Sequence, residues 1–153
     1  MSEQSVPDQV TADAVLEHLD EAECMRLIAP GGIGRVAYTG TYDLTVLPVN
    51  YKLHQGAILF RTAAENLTVK DLRTGIEGSE YRVAFEVDDF SHGTRDGWSV
   101  LVQGPAHHLD NEAERADALT AGVEAWPGGE RDHFIKIRPM RVTGRRIRRV
   151  AGQ

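Results

Sequence analysis

Cysteine is almost missing from this chain, positive charge is in deficit, and no long apolar run occurs. The only cysteine is Cys24, so no intramolecular disulfide can form, which fits a reducing compartment. A net charge of -6, from 17 basic and 23 acidic residues, disfavours general binding to nucleic acid, whose main sequence-independent attraction is phosphate neutralisation. Any anion has to be bound locally. No stretch of about 18 consecutive apolar residues exists to cross a membrane as a helix. Met1-Ser2-Glu3-Gln4 lacks the basic-then-apolar layout of a secretory signal, so a cytoplasmic protein without membrane or nucleic-acid partners is expected.

What remains is ordinary globular composition, 41% hydrophobic and 26% charged over 153 residues, a natural size for one domain. Residues 1–10 are polar and carry Pro7, so they read as a flexible arm, and 11–153 as a single domain. Asp20 followed by Glu21, Ala22 and Glu23 forms a helix start, with Asp20 capping and Glu23 reaching back. Cys24, Leu27 and Ile28 then share one face, so Cys24 is read as a packing residue and not as a nucleophile.

After Gly31 and Gly32 the apolar spacing shifts to the period of strands. Strands are expected at 34–38, 44–51, 57–62, 82–87 and 98–106, with a last strand region over 133–137 and 141–144. Short helices are expected at 66–73, capped by Asn66 or Thr68, and at 111–126, with Ala113, Ala116, Leu119 and Val123 on one face. Six strands with few peripheral helices predict a mainly β protein closed as an antiparallel barrel, because closure removes unpaired edges. Periodicity alone does not separate a flavin-binding split barrel from an oligonucleotide-binding or lipocalin-like one.

One segment carries candidate chemistry. Phe60-Arg61-Thr62 ends a strand, and Thr68, Lys70 and Arg73 follow at a helix start. A planar cation, a hydroxyl, a point charge and unpaired helical N–H groups together suit a phosphate dianion. The other reading is a solvated corner whose cations pair with Glu65 and Asp71. The six histidines show no metal-ligand spacing, and adjacent His107 and His108 point to opposite faces of a strand, so no metal site is expected. The run Arg145-Arg146-Ile147-Arg148-Arg149 reads as a charge-protected edge strand.

Gly34-Arg35-Val36-Ala37, Leu47-Pro48-Val49-Asn50-Tyr51, Leu59-Phe60-Arg61-Thr62-Ala63, Val83-Ala84-Phe85-Glu86-Val87-Asp88 and Gly97-Trp98-Ser99-Val100 resemble, in order and spacing, successive strands of the pyridoxamine 5'-phosphate oxidase-like family. The resemblance spans about residues 15–148 and implies a six-stranded antiparallel split β-barrel, dimeric, with flavin mononucleotide (FMN) or in some branches a deazaflavin at the subunit interface. It further implies that Leu47, Pro48, Val49 and Asn50 pass their backbone along the isoalloxazine edge and that Arg61, Thr62 and Lys70 hold the phosphate. Trp98 and Ser99 would meet the ring and ribityl chain from the other subunit. The expected activity is a flavin-dependent oxidoreductase acting on a small molecule, or a non-catalytic flavin-binding protein. No acid or base is identifiable, with Tyr51 and His54 the nearest candidates for substrate contact.

Two departures are visible. The family's Gly-Thr-Lys-type turn is replaced by Glu65-Asn66-Leu67-Thr68-Val69-Lys70, which brings an acidic residue close to the anion site. Pyridoxamine 5'-phosphate oxidases proper also continue into a C-terminal substrate-binding segment, whereas here a basic run leads to Gln153, so vitamin B6 oxidation is not the expected reaction.

Overall fold

Alternating apolar residues drive most of the chain into strands, and a computed structural model describes residues 14–63, 66–123 and 132–150. The expected arm at 1–10, the end of the 111–126 helix and Glu65 lie outside the described residues. In chain order the elements are β1 (Ala14–Leu19), α1 (Glu21–Ile28), β2 (Gly32–Gly40), β3 (Asp43–His54), β4 (Ala57–Ala63) and α2 (Leu67–Asp71). They are followed by β5 (Arg82–Phe90), β6 (Gly97–His108), α3 (Glu112–Leu119), β7 (Asp132–Ile137) and β8 (Arg141–Arg149).

Six strands close a barrel in the order β6-β5-β2-β3-β4-β7, the ring being completed by pairing of β7 back onto β6. The β3–β4 hairpin turns on Gln55 and Gly56, both at positive φ (52° and 76°), a conformation glycine adopts without steric cost. Val36, Ile58, Phe60, Phe85, Val100, Val102, Ile135 and Ile137 fill the barrel with 0–1% exposure. On the outside of β4 a second cluster joins Leu59 and Phe134 to Leu109, Ala118 and Val123.

The expected last strand region is two strands that share one side of β6. β8 pairs with Gly97 to Gln103, and β7 takes over at Ala106 to His108. At the handover Arg138 N donates to Pro105 O (3.2 Å) and Met140 N to Gln103 O (2.9 Å), so the connection crosses close over Gly104. A Cβ there would lie 1.8 Å from Arg138 O, which explains the glycine.

The arginine run is not an edge. β8 lies between β6 and β1, with Arg146 on Glu23 (2.9 Å) and Arg148 on Glu17 (2.9 Å), and β1 is the terminal strand. The sequence pattern assigns no element to β1 because Val15 and Leu16 stay exposed and the strand depends on β8 for its ladder. At α1, Asp20 caps by accepting from Glu23 N (2.8 Å) as expected. The Glu23 carboxylate does not reach back, however. It binds Arg26 and Arg146, whose hydrogen bonds hold its pKa down to about 2. Cys24 is fully buried, and burial raises its thiol pKa with help from Asp20 and Glu23, as suits a packing residue. α3 is shorter than its pattern. It ends before Gly122 at φ 70°, and Leu119 is 58% exposed while Ala118 and Val123 are buried.

Candidate functional site

The barrel wall forks between β3 and β4. These strands pair only from Tyr51↔Phe60 to His54↔Ala57, whereas β2 covers β3 from Asp43 to Tyr51 and β7 covers β4 through Ala63. Residues 47–50 of β3 therefore have no ladder partner on the β4 side among the described residues. Their backbone groups on that side are available to something other than a strand. Pro48 fits here, since proline is tolerated in strands where its missing N–H faces an unpaired edge.

A recess of about 90 Å³ occupies the fork. Leu47, Pro48, Val49 and Asn50 form one wall, Arg61 and Thr62 the other, and Ile33 and Asn66 complete it. Six of the nine expected site residues thus come together, all of them within one chain. The sequence pattern did not single out Ile33, and it read Asn66 only as a cap. Asn66 does cap α2, accepting from Thr68 N (3.1 Å), which holds it at the mouth.

Arg61 is half-buried, with its Nη1 donating to Val123 O (3.1 Å) and its guanidinium 5.4 Å from the Phe134 ring centroid. That support fixes a flexible cation on the outer side of β4. Lys70 is exposed on α2 and does not line the recess. The other two residues of the proposed phosphate corner are committed elsewhere. Thr68 is 3% exposed and shares a hydrogen bond with Tyr38 Oη (2.9 Å), and Arg73 forms two bonds with Asp110 (2.8 and 3.0 Å).

Trp98 and Ser99 start β6 and lie apart from the recess. Trp98 packs against the barrel core, and Ser99 sits on the opposite, outer face between Asp88 and Arg145. Tyr51 and His54, the nearest candidates for substrate contact, are both engaged within the fold. Tyr51 is 2% exposed, donates to Ile28 O (2.9 Å) and is pushed up to a pKa of about 12 by burial, and His54 Nε2 donates to Asp117 (2.8 Å).

Three further histidines are structural links. His107 donates to Glu80 (2.6 Å) and Glu114 (2.8 Å); burial opposes its charge, but the two carboxylates outweigh it and raise its pKa. His108 faces the other way, donating to Leu72 O (3.0 Å) and accepting from His133 (2.7 Å). Burial, followed by the neighbouring His108, lowers the His133 pKa to about 4. Among the described residues no group of three metal-binding side chains converges.

The model of the family described as pyridoxamine 5'-phosphate oxidase matches residues 20–146. An uncharacterized protein of Mycobacterium tuberculosis is 32% identical over 129 residues, 84% of each chain. Among solved structures, the FAD binding protein of Mycobacterium smegmatis shares 30% identity over 86% of this chain and 100% of its own, with a TM-score of 0.70. An FAD-binding protein of Mesorhizobium loti has the same fold at 21% identity, covering 86% of this chain and 98% of its own, with a TM-score of 0.71. The match from α1 through most of β8, which takes in every strand of the barrel, makes this chain a member of the pyridoxamine 5'-phosphate oxidase family.

Proposed function

We propose that this chain binds FMN in the fork between β3 and β4 and acts as a cytoplasmic, homodimeric flavin-dependent oxidoreductase on a small-molecule substrate. The observation that carries the reading is the unpaired stretch of β3 at 47–50 facing Arg61 and Thr62 across the recess. A flavin ring edge alternates hydrogen-bond donors and acceptors, as a strand edge does, so an open strand suits it where a side-chain pocket is lacking. Arg61 and Thr62 supply a charge-assisted donor and a hydroxyl for the phosphate, with Lys70 adding charge from α2. The bound flavin carries the redox chemistry, and the chain's residues bind it, orient it and exclude water. Its kinship with the Mycobacterium smegmatis FAD binding protein supports a flavin.

Pockets that enclose a ligand of this size hold about 300–1,000 Å³. The recess of about 90 Å³ is therefore one wall of a site, and a second copy supplies the other in this reading. Support comes from the sheet face that continues from the recess, where Leu44 (82% exposed), Val46 (65%) and Ile33 (45%) stand in solvent. Isolated exposed apolar residues need no cause, but several gathered on neighbouring strands suit an interface. Ser99 lies on the same outer side of the sheet, where a second copy packed on this face would meet it. A single buried thiol supports the reducing cytoplasm.

Reconstitution with FMN, followed by an absorption spectrum and mass spectrometry of whatever denaturation releases, tests the cofactor. An oxidised-flavin spectrum and released FMN are expected, whereas a deazaflavin, or no bound ligand at all, overturns the reading. Sedimentation at micromolar concentration is expected to show a dimer, and a monomer alone would remove the shared site.

A further inference from the structure

The apolar sheet face carries one buried-in-the-making charge cluster. Glu86 and Asp88 alternate on β5 and so project from the same outer surface, and one guanidinium, Arg35 on β2, lies 3.3 Å from the first and 3.5 Å from the second. Around them the surface is hydrocarbon, with Ala37, Val46, Ala84 and Leu101 lining the same hollow of about 350 Å³. The other charged groups on this outer face are Arg145 on β8, exposed and separated from Asp88 by Ser99, and Arg82 and Arg141, which line the adjoining hollow with Ala37, Val46 and Ala84. Two carboxylates therefore share one close cation, so the cluster itself carries a surplus negative charge among the apolar residues of the hollow.

We propose that pairing of two copies through this face is proton-linked, with Glu86 as the group that takes up the proton. The inference rests on the dimer reading above and adds its regulation. Desolvation disfavours the charged form of a carboxyl, and a neighbouring carboxylate does so again. Already in one chain, burial and then the hydrogen bond and charge of Asp88 hold the Glu86 pKa up at about 7 against the pull of Arg35. Covering the hollow with a second copy removes more water and pushes it further up. The dimer then binds more protons than two separate chains, so association weakens as pH rises through neutrality. Protonated, Glu86 donates to Asp88, and Arg35 is left to neutralise Asp88 alone.

Sedimentation equilibrium of the full chain at pH 5.5 and pH 8.5, at one ionic strength, tests this. The wild-type dissociation constant is expected to rise by roughly tenfold to a hundredfold at the higher pH, since the dimer holds two copies of Glu86 and one unit of upward pKa shift gives up to about tenfold for each. Glu86→Gln, a neutral shape-mimic, is expected to dimerise equally at both pH values and as tightly as wild type at pH 5.5. Asp88→Asn, which leaves Arg35 to Glu86 alone, is expected to reduce the pH dependence if Glu86→Gln folds poorly. A wild-type dimer of equal affinity at both pH values overturns the proton linkage and leaves the dimer standing. Persistent pH dependence in folded Glu86→Gln assigns the proton elsewhere and overturns it too. A monomer at every pH removes the dimer itself, and this inference with it.

Discussion

Arg61→Ala is expected to weaken FMN binding by about 1.5–3 kcal/mol, roughly ten- to more than a hundredfold, while leaving riboflavin affinity nearly unchanged. The difference between the two ligands is the phosphate, which is the only part an alanine at this position no longer reaches by a charge-assisted bond. The control matters because Arg61 also has a structural duty. Its Nη1 donates to Val123 O and its guanidinium covers Phe134, so the substitution loosens the contact between β4 and the segment after α3. Loss of that contact would lower affinity for both ligands alike. Arg61→Lys is expected to recover part of the FMN affinity, since an ammonium keeps the charge but not the planar fork. Titration of both ligands against the three proteins separates the roles, and an equal loss for FMN and riboflavin, or none for either, contradicts the phosphate assignment.

Phe85→Ala is expected to cost about 3–5 kcal/mol of stability, because truncating a large buried aromatic loses both its transfer free energy and the packing around the cavity it leaves. Phe85 is 0% exposed and meets Tyr51 edge-on, ring centroids 5.0 Å apart and planes at 74°. Its ring tip lies against Gly34 of β2, where an added Cβ would be 2.2 Å from Phe85 Cζ. The same geometry gives a second, opposite result. Gly34→Ala overpacks the wild-type core and is expected to cost about 1–3 kcal/mol there. In the Phe85→Ala background its methyl enters vacated space, so the double variant is expected to be no less stable than Phe85→Ala. Urea unfolding of the four proteins measures the coupling, and simple additivity would contradict the contact.

How much of this was legible beforehand follows from the range of each interaction. The barrel strands were, because alternation is local and Val36, Phe85 or Val102 report their inward face within a few residues. The cap at Asp20 was legible for the same reason. What sequence could not show were commitments between distant residues. Arg73 looked like a phosphate ligand until Asp110, 37 positions on, took it, and the arginine run looked like an edge until Glu17 and Glu23 lined up beside it. Tyr51 looked like a candidate for substrate contact at a strand end, but α1 places the Ile28 carbonyl within reach of its hydroxyl. In the recess, 47–50 and Arg61-Thr62 were recognisable by resemblance, but the fork that brings them together is an absence of pairing, and no residue type encodes it. The Arg35, Glu86 and Asp88 cluster left a trace in two acidic residues alternating along an apolar strand. Their shared cation on β2 needed the register Arg35↔Glu86 to be seen.

Flavin binding in the fork requires that the open edge of β3 receive the ring. Amide chemical-shift mapping of the isotope-labelled protein, titrated with riboflavin and then with FMN, reads that edge directly. Riboflavin is expected to move the N–H signal of Asn50 most, since it shares the open side with Pro48 while the N–H groups of Leu47 and Val49 point toward β2, and FMN to move Arg61 and Thr62 in addition. Shifts confined to other hollows of the chain, such as the one lined by Arg73, Thr74 and His107, or no shifts at saturating ligand, would contradict it.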